Sequence, residues 1–69
     1  MSYLVVIEKA ERNYSAYVPD LPGCIATGKT PARARKAICE AIAMHLAGLR
    51  EDGVQIPPPR ASAELVEID

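Results

Sequence analysis

Tryptophan and phenylalanine are absent from this 69-residue chain, and three tyrosines are its only aromatic residues. A single-stranded nucleic-acid platform stacks bases on aromatic rings, so that class loses its main physical basis. Charge of one sign is missing too, because the formal net charge is −1. A nucleic-acid footprint normally shows as a strong basic excess, so no direct nucleic-acid binding is expected. No apolar run approaches the roughly 18 residues that a membrane span requires. The start, Met1-Ser-Tyr-Leu-Val-Val-Ile7, has neither a basic leader region nor a small-residue cleavage site. It does not read as a signal peptide, and a soluble cytoplasmic protein is the expectation. The two cysteines, Cys24 and Cys39, are too few for a disulfide framework, and no Cys-x-x-Cys or Cys/His spacing suggests zinc. They read as small buried hydrophobes. The glycines are scattered singly, so there is no Gly-rich phosphate loop.

What is present points to a small globular domain. The hydrophobic fraction is 49% and the charged fraction 25%, which together argue against disorder. The length leaves room for one domain spanning residues 1–69 and only a thin core. So many apolar residues exceed what one small core can hide. Self-association, as a homodimer or homotetramer, is therefore expected.

Tyr3–Lys9 (YLVVIEK) is apolar on both faces and predicts a strand covered on each side. Glu11-Arg12-Asn13 reads as a hairpin loop, and Tyr14–Val18 alternates as a second strand. Pro19-Asp20-Leu21-Pro22-Gly23 cannot continue a ladder, and Cys24–Gly28 reads as a short third strand. Thr30-Pro31 is a strong helix start, since Thr can cap orphan amides and Pro fits the first helical position. A helix over Ala32–Glu51 follows, with Ala34, Ile38, Ala41, Ile42, His45 and Leu49 as its apolar stripe and Gly53 just past its end. Ile56-Pro57-Pro58-Pro59 is a stiff connector, and Ser62–Asp69 (SAELVEID) reads as a final strand. The expected fold is α+β in the order β-β-β-α-β. Three strands are antiparallel, the final strand runs parallel to the first after a right-handed crossover, and one helix packs on one sheet face. One helix cannot cover both faces. Leu4 and Val6, or the opposite set, would then show an apolar surface to a partner or a second copy.

Catalytic constellations are poorly supported. His45 is the only histidine, and Cys39 lies six positions before it. That is roughly 600° of helical rotation, so the two side chains point apart and cannot form a Cys–His dyad. The acids are Glu8, Glu11, Asp20, Glu40, Glu51, Asp52, Glu64, Glu67 and Asp69. A degenerate nuclease would need Glu8, Glu40 and Glu67 to converge on Mg²⁺ or Mn²⁺, which nothing in the spacing motivates. No catalytic residue, metal or cofactor is assigned. Lys29, Arg33, Arg35 and Lys36 crowd the start of the helix, and Glu51 and Asp52 sit at its end. Both placements oppose the helix dipole, at about 0.3–1 kcal/mol per exposed charge. The basic cluster is either a solvated face or a contact for an acidic partner.

The stretch Ala16-Tyr-Val-Pro-Asp-Leu-Pro-Gly-Cys24, then Gly28-x-Thr30 and a helix, resembles the HicB-like antitoxin family. Glu40-Ala-Ile42, His45-Leu46 and Glu51-Asp-Gly-x-x-Ile-Pro57 match in the same order, so the resemblance covers nearly the whole chain. It implies a partial ribonuclease H fold and a protein that binds and blocks a HicA-type toxin. Such toxins are small ribonucleases with a double-stranded-RNA-binding-like fold. The toxin carries the catalytic histidine in that family, so His45 inherits no catalytic role. Longer members append a ribbon-helix-helix or helix-turn-helix DNA-binding domain, and residues 1–69 read as the HicB-like domain alone. Family members usually carry acids after the capping Thr, where this chain has Pro31-Ala32-Arg33. The expected partner contacts are Tyr17, Asp20 and Leu21 around the proline-rich link, with Arg33 and Lys36 on the helix. The expected oligomer face is Leu4 and Val6. The proline-rich link also has a purely structural reading, as a tight connection between two strands. A stand-alone homo-oligomeric HicB-like domain without a toxin is the alternative.

Overall fold

A computed structural model describes all residues, Met1–Asp69. The chain forms β1 (Val6–Lys9), β2 (Tyr14–Tyr17), β3 (Ile25–Gly28) and α1 (Pro31–Glu51). The sheet is antiparallel in the order β1-β2-β3. Each strand is shorter than the sequence suggests. The ladder begins only at Val6, yet Tyr3 and Val5 still pack on the core.

Local chemistry sets the boundaries of α1. Thr30 takes an extended conformation, φ −133° and ψ 161°, and its Oγ1 accepts a bond from the Arg33 amide at 3.1 Å. One of the helix's orphan donors is thereby satisfied, as an N-cap requires. At the other end Val54 N–H donates to the Leu49 carbonyl and Gly53 N–H to the Arg50 carbonyl. This pair of bonds is a Schellman motif, and Gly53 supplies its left-handed residue at φ 69°. Gly28, at the end of β3, lies hard against the first turn of α1. A Cβ there would sit 2.7 Å from the Arg33 carbonyl carbon and 2.9 Å from Ala34 Cα.

The link between β2 and β3 is two successive turns. Leu21 N–H donates to the Val18 carbonyl at 3.1 Å, and Cys24 N–H to the Leu21 carbonyl at 3.0 Å. Pro22 and Gly23 (φ 81°) occupy the central positions of the second turn, as type II geometry demands. The result drives Val18, Leu21 and Cys24 inward. They join Ala16, Ala34 and Ile38 in a core of six buried residues. Ala41, Ile42 and Leu46 of α1 pack against that core, with Tyr14 and Ala26 from the strands. Leu46, absent from the expected stripe, packs on the core, and like it His45 and Leu49 are half-buried.

Two expectations need correction. Ser62–Asp69 forms no strand in this chain, and all eight residues are exposed. Consequently β1 is an edge strand and β2 the centre of the sheet. The reason lies in the path after α1. The Tyr3 hydroxyl donates to the Pro57 carbonyl, and the Asp20 carboxylate then accepts from the amides of Arg60 at 2.9 Å and Ala61 at 3.0 Å. These contacts tie the chain after α1 to Tyr3 and to the β2–β3 link, and Ser62–Asp69 leaves that anchor without joining the ladder.

Candidate functional site

The register places Val6, Tyr17 and Ile25 side by side across the three strands. Their neighbours Ala16, Val18 and Cys24 are buried beneath α1, so alternation turns this row to the opposite, helix-free face. Leu4, two residues before β1, has the parity of Val6. Tyr17 is 38% and Ile25 63% exposed. The adjoining row, Glu8, Ser15 and Thr27, is polar. The open face is therefore an apolar band bordered by hydrogen-bonding groups. An exposed apolar band of this kind is a candidate contact surface. Beside it lie two shallow hollows open to solvent, one lined by Tyr17, Pro19, Pro22 and Ile25, the other by Ile25, Met44 and His45.

The residues singled out in the sequence do not converge on one spot. Tyr17 lies on the open face with Val6, so the residues expected as partner contact and as oligomer face fall on one surface. Leu21 is fully buried and cannot touch a partner in the folded chain. Its placement between two prolines suggested a presented tip, but the double turn makes it a plug. Asp20 is half-buried, and its Oδ2 is taken by the Arg60 and Ala61 amides. Arg33 and Lys36 are exposed on α1, in the layer opposite Tyr17. Ile25 was missed. Its signal was available, since it alternates with Cys24, but its pairing with Tyr17 emerges only from the register.

The arrangement offers little for catalysis. Glu8, Glu40 and Glu67 are exposed on β1, on α1 and in the C-terminal segment. No three His, Cys, Asp or Glu side chains are grouped so as to hold a metal ion. Burial pushes the Cys24 thiol above its ordinary value of 9.0, the direction opposite to that of an activated nucleophile. Cys39 is exposed on the helix. No helix is long and apolar enough to cross a membrane.

A family model described as the HicB-like antitoxin of bacterial toxin–antitoxin systems matches residues 3–68. A 14.9 kDa protein of the rep–hol intergenic region of Haemophilus phage HP1 is 40% identical over 57 residues, covering 83% of this chain and 43% of the phage protein. A UPF0150 protein of Helicobacter pylori is 47% identical over 47 residues, covering 68% and 65% of the two chains. This chain thus spans less than two thirds of both relatives. A UPF0150 protein of Thermoplasma acidophilum is 39% identical over 69 residues and matches nearly end to end, covering 99% and 97%. Among solved structures, a chain of the HicA3 and HicB3 toxin–antitoxin complex superposes with a TM-score of 0.73 at 35% identity, covering 86% of this chain and 70% of that one.

Proposed function

The chain belongs to the HicB-like antitoxin family, and from that premise we propose that it binds a HicA-type ribonuclease toxin and holds it inactive, acting by contact and not by catalysis. The observation that carries this reading is the open row of Val6, Tyr17 and Ile25 on a sheet with a single helix. A domain that kept this face to itself would leave apolar surface in water for no gain. The likeness to a chain of the HicA3 and HicB3 complex supports a toxin as the occupant. Tyr17 is the natural anchor, because a half-exposed tyrosine supplies large contact area and a hydroxyl at little entropic cost. Leu4, Val6 and Ile25 complete the contact. Arg33 and Lys36 then serve solubility or a secondary contact. Residence in the cytoplasm, alongside RNA and the toxin, belongs to the same reading.

The test is co-expression with a small basic protein of double-stranded-RNA-binding-like sequence encoded beside this gene. A stable complex on gel filtration at micromolar concentration is the expected result. Separate elution of the two proteins would refute the proposal.

A further inference from the structure

Ser62–Asp69 is the largest feature of the molecule that the toxin reading leaves unused. Leu65 is 105%, Val66 74% and Ile68 87% exposed. A segment rich in strand-forming residues gains nothing by standing in water. It is also part of the domain and not a linker beyond it, since the family match runs to residue 68 and the Thermoplasma relative covers 99% of this chain.

Its base is fixed. Tyr3 holds Pro57, three consecutive prolines stiffen the path, and the Asp20 carboxylate grips the Arg60 and Ala61 amides. Beyond this anchor the arm pairs with no strand of its own chain. Meanwhile the outer edge of β1 carries no ladder partner. β1 with the residues just before it, Tyr3–Lys9, has the composition of an inner strand, apolar at both parities from Tyr3 to Ile7. Ile7 is 37% exposed although it points to the helix side, because α1 lies over β3 and β2 and barely reaches β1. A further strand beside β1 would close that gap. An open edge of this kind is a template for pairing with another chain.

We infer that Ser62–Asp69 of one copy forms the missing fourth strand on the β1 edge of a second copy, and receives the same in return. Reach and charge both fit. Eight extended residues span roughly 26 Å, enough to run the length of Tyr3–Lys9. A parallel run brings the acidic end of the arm, Glu67 and Asp69, toward exposed Lys9 and Arg12 at the far end of β1 and its hairpin. β3 is the other edge of the sheet, but no basic residue lies on it beside the acidic end of a parallel arm until Lys29. The exchange is isologous and closes at two chains. It leaves the row of Val6, Tyr17 and Ile25 open, so it is independent of whether a toxin binds there.

The full chain should sediment as two copies of 7.4 kDa at about 50 µM. Val66→Pro removes a backbone donor from the arm and restricts its φ, and Leu65→Asp places a charge in the new strand. Both positions lie in solvent in the single copy, so neither disturbs the core. Each variant should retain the parent's helical circular dichroism and shift to the one-chain mass. Amide exchange adds a second readout. In the dimer, amides of Ser62–Asp69 and of β1 should be protected together, and Val66→Pro should release both. A one-chain parent, an unchanged dimer in both variants, or fast exchange throughout the arm of the dimer would overturn the inference. Protection of β3 in place of β1 would overturn it as well.

Discussion

Replacing Leu21 with alanine separates the two meanings that the proline-rich link could carry. Leu21 is fully buried and is one of the two largest side chains at the centre of the core. Leu→Ala costs run from about 2 to 5 kcal/mol, and the value depends on how far the surroundings can collapse into the space. Collapse is restricted here. Pro19 and Pro22 fix the backbone on either side, and both turn bonds through Leu21 hold its Cα in place. The upper part of the range, about 3–4 kcal/mol, is the expectation. A 69-residue domain has about 3.5–10 kcal/mol in total, so the variant should lose a large share of its stability. The melting temperature should fall by roughly 12–30 °C. Urea titration followed by helical circular dichroism measures the loss, at one fixed protein concentration because assembly is linked to folding. A loss below about 1 kcal/mol would refute the reasoning and restore Leu21 to the surface role that the sequence suggested.

Ile25→Lys should do the opposite. The side chain is 63% exposed, so stability should stay within about 0.5 kcal/mol while toxin affinity drops at least 30-fold, as measured by calorimetry. Gly28→Ala should destabilise, because its Cβ collides with the Arg33–Ala34 backbone. Gly48→Ala, a helix position with nothing within 4 Å, should stabilise by about 0.5–1 kcal/mol; paired melting curves decide both. A thiol reagent should label exposed Cys39 quickly and buried Cys24 slowly. Burial raises the folded-state value for Cys24 above 9.0. Its contribution to stability is therefore full below the unfolded value and lost as pH rises through the folded one. Cys24→Ala should flatten that alkaline decline in a stability-against-pH series.

Local signals carried most of the fold. Thr30-Pro31 and Gly53 marked the ends of α1 to within one residue, because caps depend on chemistry confined to a single turn. The alternation in Tyr14–Val18 located β2, and its buried parity at Ala16 and Val18 followed from period two. What stayed hidden was long-range. The Asp20 grip joins residues 40 and 41 positions apart, and no local pattern announces it. Leu21 looked like a loop tip because prolines and glycine surround it. Only the paired turns show that the loop folds inward. The C-terminal segment has the composition of a strand, but composition does not say which edge it meets, or on which copy. The candidate site split along the same line. Parity left Leu4 and Val6 or the opposite set as the open face, Tyr17 entered through the family resemblance, and Ile25 needed the β2–β3 register.

The most direct test of the central claim is a ribonuclease assay. The cognate HicA-type toxin is titrated with the purified chain while RNA cleavage is followed. Cleavage should be abolished near one antitoxin chain per toxin, and Ile25→Lys, binding at least 30-fold more weakly, should leave cleavage incomplete at that ratio. Undiminished cleavage at a tenfold excess of the folded parent chain would contradict the account.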